Sequence, residues 1–173
     1  MSATPARRYD AARGATAPAL RVLVLGGRGQ LGSDVVRAAA GFDTLAITPF
    51  TRAQLDLADI TAIHRVLHDA EFDVVLNCAG CNRTMEAERD PREAFAINAH
   101  AVGAVAAVCR ERSARLVHVS SDYVFDGTND VPYTERDAVR PLNVYGASKA
   151  LGEALAMHHQ PEAVIVRAAS LFG

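Results

Sequence analysis

Arg21-Val-Leu-Val-Leu25 runs directly into Gly26-Gly-Arg-Gly-Gln-Leu-Gly32. An apolar run without polar alternation is a strand buried on both faces, and glycines placed straight after it make a tight turn. The helix-compatible stretch Ser33 to Ala40 follows and closes at Gly41 as a C-cap. A buried strand, a glycine turn and a helix in that order commit the chain to parallel pairing, because a parallel neighbour is reached only through a crossover.

The same unit recurs along the chain. Thr44 to Thr48 predicts a second strand, and Asp59 to Ala70 a helix with Ile60, Ile63, Val66 and Leu67 on one face. Asp73 to Asn77 predicts a third strand, and Pro91 to Arg112 a long helix with Pro in its first turn. Arg115 to Ser120, a loop over Asp126 to Leu142, a helix from Asn143 to His158 and a fifth strand from Ala163 to Arg167 complete the pattern. Five alternations without hairpin signals predict an α/β fold, a doubly wound parallel sheet with right-handed crossovers and helices on both faces. The expected strand order is 3-2-1-4-5. Residues 1–19, rich in Ala, Arg, Thr and Pro, read as a disordered N-terminal tail, and 20–173 as one dinucleotide-binding domain.

Composition narrows the partners. Half of the 173 residues are hydrophobic, 22% are charged and the net charge is −2, which favours neither nucleic acid nor a membrane surface. Three cysteines, Cys78, Cys81 and Cys109, are an odd count for a disulfide framework and point to a reducing, cytoplasmic setting. Cys78 and Cys81 form a CxxC, but no second pair completes a zinc site. The six histidines, His64, His68, His100, His118, His158 and His159, show no triad or metal spacing and read as surface or packing residues. No metal is expected.

Three motifs carry chemistry. Gly26, Gly29 and Gly32, with Gln30 and Leu31 at the helix start, suit a pyrophosphate held by backbone amides. Dinucleotide sites for NAD place an acid about 20 residues on, at the end of the second strand. Here Pro49-Phe-Thr-Arg52 has none, and Arg52 favours the 2′-phosphate of NADP(H), with NAD(H) as second choice. Asp56 and Leu57 are candidates at the adenine end, and Cys78, Ala79 and Gly80 after the third strand.

Tyr145-Gly-Ala-Ser-Lys149 puts a phenol and an amine four residues apart on one helix face. Lys149 is the only lysine against 17 arginines. A neighbouring ammonium lowers a phenol's pKa, which fits Tyr145 for proton transfer. Ser120-Ser-Asp122 follows the fourth strand, where open sheets bind ligands, and a hydroxyl there can hold a carbonyl oxygen. Spacing does not choose between Ser120 and Ser121.

Together these blocks resemble the extended short-chain dehydrogenase/reductase superfamily. Within it they resemble the dTDP-4-dehydrorhamnose reductase family, whose fold is Rossmann-like. The resemblance rests on Gly-Gly-Arg-Gly-Gln-Leu-Gly (26–32), Leu-Asp-Leu-Ala-Asp (55–59), Asn-Cys-Ala-Gly (77–80), Ser-Ser-Asp-Tyr-Val-Phe-Asp-Gly (120–127), Tyr-Gly-Ala-Ser-Lys (145–149) and Val-Arg-Ala-Ala-Ser-Leu-Phe-Gly (166–173). It implies Tyr145 as proton donor, Lys149 as its partner, Ser121 in place of a catalytic Thr, Asp122 near the sugar and Asn98 supporting the proton relay. It implies NADPH-dependent reduction of a nucleotide-linked 4-keto sugar; the candidate partners are the nucleotide sugar and a further copy of the chain in a homo-oligomer, with the oligomeric state left open by the sequence. The alternatives on the same scaffold are a nucleotide-sugar epimerase or dehydratase and a non-catalytic regulatory domain. The chain departs from the family at Cys78-Ala-Gly-Cys81 and at Ser170, and the family's C-terminal substrate portion is expected to be missing after Gly173.

Overall fold

The computed structural model describes residues 19–171. The expected tail lies outside the described residues except for Ala19. Five strands, β1 (Leu20–Leu25), β2 (Leu45–Phe50), β3 (Val74–Asn77), β4 (Arg115–Ser121) and β5 (Val164–Ala168), form one sheet in the order β2-β1-β3-β4-β5. All four pairings are parallel.

The α/β doubly wound reading holds, but the expected order 3-2-1-4-5 does not. β1 sits between β2 and β3, and β2 is an edge strand. Two features of the residues explain this. Leu23, Val24 and Leu25 are fully buried, which suits a strand flanked on both sides. Pro49 lies inside β2, and a proline lacks the N–H that a central strand must donate, so β2 belongs at an edge.

The crossovers follow from the order. β1 leads through α1 (Gln30–Ala39) to β2 on one side. From β2 onward the chain steps the other way, through α2 (Ile60–Asp69), α5 (Ala101–Glu111) and α6 (Val144–His159). Right-handed crossovers in opposite directions put α1 on one face and α2, α5 and α6 on the other. Leu23, Leu25, Val75 and Leu116 point to that second face and share one core with Ile63, Leu67, Val102, Val105, Val108 and Ala156. Each such buried Val, Leu or Ile side chain contributes roughly 1.5–3 kcal/mol. The first face is covered by α1 over β1 and β2. Over β5 it leaves Val164 and Val166 45% and 43% exposed.

The expected Pro91–Arg112 helix is interrupted. It comprises α4 (Arg92–Phe95), a π-helical turn (Ala96–His100) and α5, preceded by a short α3 (Thr84–Arg89) in a stretch with no predicted element. No described helix is long and apolar enough to cross a membrane.

Candidate active site

The turn after β1 is built on close backbone approach. Gly26 has φ +76°, and a Cβ there would meet the Ala79 backbone nitrogen at 2.8 Å. A Cβ on Gly32 would lie 2.2 Å from the Gly26 carbonyl. The first glycine lets the turn fold against the end of β3, and the third lets α1 start beneath it. Gly29 is the N-cap of α1 and offers no side-chain bond to the first-turn amides. Those amides and the helix dipole are left facing the space above the turn, a setting for an anion.

That space is a cleft of about 540 Å³ at the carboxyl ends of the strands. Gly26, Gly29, Gln30 and Leu31 line it, as do Arg52, Asp56 and Leu57 after β2, Cys78, Ala79 and Gly80 after β3, Ser121, and Tyr145 and Lys149 on α6. Gly32 is buried under the turn and does not line it. Arg52 is exposed, 3.4 Å from Asp56 and 3.9 Å from Glu93, so its guanidinium is held at the rim rather than free in solvent. Burial pushes the Cys78 thiol up to about 11. It is therefore neutral, and all three cysteines are free. Cys81 is buried, and Cys78 is half-buried on the cleft wall.

α6 is positioned at its N-terminal end. Asn143 accepts from the Gly146 amide at 2.7 Å, and Glu88 caps the Val144 amide at 2.7 Å. Ser148 donates to the Tyr145 carbonyl at 2.7 Å, and Asn98 in the π turn donates to Ser148 at 3.0 Å. The Asn98 side chain also clamps Cys81, accepting from its amide and donating to its carbonyl, both at 2.8 Å. Asn98 thus ties the chain after β3 to the first turn of α6. Ser148 was not singled out in the sequence, though its place beside Lys149 was the available signal.

Lys149 is 4% exposed and donates to the Val119 carbonyl at 2.7 Å. Burial lowers its pKa to about 8, with Glu153 pulling it back up. Glu153 is itself bound by Arg167 of β5, at 2.7 Å and 3.0 Å, and the guanidinium stacks over Phe125 at 4.9 Å. Tyr145 stands edge-on to Tyr123, with centroids 5.5 Å apart. Its pKa is raised, chiefly by burial, and the Ser121 hydroxyl opposes that rise. The expectation that Lys149 lowers the phenol's pKa is therefore corrected. The amine points to the end of β4, and desolvation of the ring dominates. Beneath Lys149, His118 is fully buried with its Nδ1 3.2 Å from the Asn77 amide nitrogen. Burial first, and Lys149 second, lower its pKa to about 3.

Both candidate serines line the cleft, but only Ser121 faces the phenol. It donates to Asp122 at 3.0 Å and accepts from the Tyr123 amide at 3.2 Å, whereas the Ser120 hydroxyl is buried without a protein partner. Asp122 lies outside the main cleft. It lines an adjoining hollow of about 330 Å³ with Tyr123, Phe125, Tyr133 and Leu142. Phe50, Ile97, Ala168 and Leu171 also line the main cleft. They are apolar walls, and nothing in the sequence separates them from core residues.

Comparison with known proteins agrees with this geometry. Residues 20–173 match the RmlD substrate binding domain family. A dTDP-4-keto-6-deoxy-D-glucose reductase of Streptomyces niveus is 40% identical over 154 residues, covering 88% of this chain and 53% of that protein. The methionine adenosyltransferase 2 subunit beta of Rattus norvegicus is 37% identical over 162 residues, covering 90% and 48%. The crystal structure of dTDP-4-dehydrorhamnose reductase from Bacillus anthracis in complex with NADP superimposes with a TM-score of 0.86 at 32% identity, covering 91% of this chain and 56% of that one. The chain spans about half the length of the relatives it matches. It belongs to the RmlD family, that of the dTDP-4-dehydrorhamnose reductases.

Proposed function

From this family membership, we propose that the chain is the dinucleotide-binding and catalytic half of an NADPH-dependent reductase of nucleotide-linked 4-keto sugars. The observation that carries the reading is convergence. The glycine cradle, the α1 N-terminus, Arg52, Tyr145, Lys149 and Ser121 all open onto one cleft. The cradle fits a dinucleotide, since Gly26 and Gly29 line the cleft without side chains and at the N-terminus of α1 the amides have no side-chain cap. NADPH, when bound, supplies the hydride.

The residues of the chain do the rest. The first-turn amides of α1 hold the pyrophosphate, and Arg52 meets the 2′-phosphate. Lys149, anchored on the Val119 carbonyl, offers its remaining N–H groups to ribose hydroxyls. Ser121, turning its one hydroxyl proton away from Asp122, donates to the substrate carbonyl oxygen. Tyr145, kept protonated by its burial, gives its phenolic proton to that oxygen as negative charge develops on it. A raised phenol pKa suits an acid that must stay protonated at neutral pH.

The hollow around Asp122 and Tyr123 adjoins the cleft on the loop side and is the place for the sugar. The likeness to a protein named as a subunit of methionine adenosyltransferase supports a second reading, a subunit role without keto-sugar reduction. The retained Tyr145, Lys149 and Ser121 favour catalysis. In a protein joining this chain to the C-terminal half its relatives carry, Tyr145→Phe should lower keto-sugar reduction by roughly 10²–10⁴ with NADPH affinity unchanged. Normal turnover in that variant would refute the assignment of the proton donor.

A further inference from the structure

We propose that His64, His68 and Glu111 form a surface site for a divalent transition-metal ion of the zinc class, apart from the cofactor cleft. The histidines lie four residues apart on α2, so both rings project from one helix face. Their planes are nearly parallel, at 22°, with centroids 6.5 Å apart. Glu111, the last residue of α5, brings a carboxylate oxygen to 3.1 Å from the His68 Nε2. One ligand atom from each of the three lies within 4.8 Å of the other two. Tetrahedral zinc, with bonds of about 2.0–2.2 Å, spaces its ligands roughly 3.4 Å apart. Side-chain rotation alone closes that gap, because His64 is only half-buried and His68 and Glu111 are exposed.

The electrostatics of the place support a cation. His68 is in the last turn of α2 and Glu111 ends α5, so two negative helix ends meet there. Arg112 opposes this in part, yet its guanidinium is committed to the His68 and Ala70 carbonyls. It points at backbone and leaves the rings and the carboxylate facing one another. Two imidazoles and a carboxylate are a donor set suited to zinc. None of the three residues lines the cleft, so an ion there would staple α2 to α5 and leave the fourth position to water.

Titration of the 173-residue chain with zinc chloride by calorimetry tests this. One ion per chain should bind. His64→Ala and Glu111→Gln should each weaken binding at least about tenfold, with unchanged circular dichroism. A double substitution of the other adjacent pair, His158→Ala with His159→Ala, should leave binding intact, and the cobalt complex should lack a thiolate charge-transfer band. Absence of saturable zinc binding, indifference to His64→Ala and Glu111→Gln, loss on removing His158 and His159, or a thiolate band would each overturn the proposal.

Discussion

Two glycines with nearly the same backbone conformation stand at opposite sides of the ligand-binding edge. Gly26, at φ +76°, turns β1 into α1, and Gly127, at φ +70°, lies in the loop beyond β4. A Cβ on Gly26 would strike the Ala79 backbone, whereas on Gly127 it would meet nothing within 4 Å. The left-handed conformation is common to both, and only the first is also a steric necessity. The dinucleotide side is therefore built from backbone pressed on backbone. The loop side is held by side chains: Tyr133 donating to Asp126 at 2.7 Å, Phe125 stacked on Tyr133, and Arg167 over Phe125. Along that side Tyr123, Val131 and Leu142 remain exposed. A rigid cradle suits a cofactor of fixed shape, and a surface of adjustable side chains suits the variable partner.

The largest effect should come from Gly26→Ala. Overpacking against backbone costs roughly 1–3 kcal/mol and the left-handed conformation about 1–2 more for a residue with a Cβ. We expect a loss of about 3 kcal/mol or more in urea unfolding. A loss below about 1 kcal/mol would mean that the turn yields and that the cradle is no more rigid than the loop.

The next concerns the buried His118 of β4. His118 is held neutral in the fold down to about pH 3, while the unfolded chain takes up its proton near the ordinary value of 6.5. Its contribution is thus fully present above pH 6.5 and is lost as pH falls towards 3. The loss amounts to roughly 2 kcal/mol at pH 5 relative to pH 7. His118→Gln should flatten that part of the stability profile, and an unaltered profile would place the acid sensitivity elsewhere. The smallest effect is expected of Gly127→Ala, about 1 kcal/mol from conformation alone, again by urea unfolding. A cost equal to that of Gly26→Ala would erase the contrast between the two sides.

Much of this was legible in the sequence, and the failures have physical causes. The glycine turn and the Tyr145–Lys149 spacing are local signals, and local backbone demands show in residue type. The strand order is not local, although Pro49 carried the decisive clue: a strand without a full set of donors belongs at an edge. The π turn at Ala96–His100 left no mark in the sequence, and the partners of its buried Asn98, Cys81 and Ser148, lie 17 and 50 positions away. His64 and His68 read as surface or packing residues, and they are half-buried and exposed; that Glu111 faces His68 was hidden by the 43 positions between them. The direction of the Tyr145 shift was misread for the same reason. Spacing shows that an amine is near, whereas burial by distant elements determines which influence on the phenol prevails.

We propose that these residues suffice to bind the dinucleotide and that Arg52 selects the phosphorylated cofactor. Fluorescence titration of the 173-residue chain with NADPH and with NADH tests it most directly. Saturable binding of one NADPH per chain, weaker binding of NADH, and loss of that preference in Arg52→Glu are expected. No saturable binding of either dinucleotide, or equal affinities for both in the unaltered chain, would contradict it.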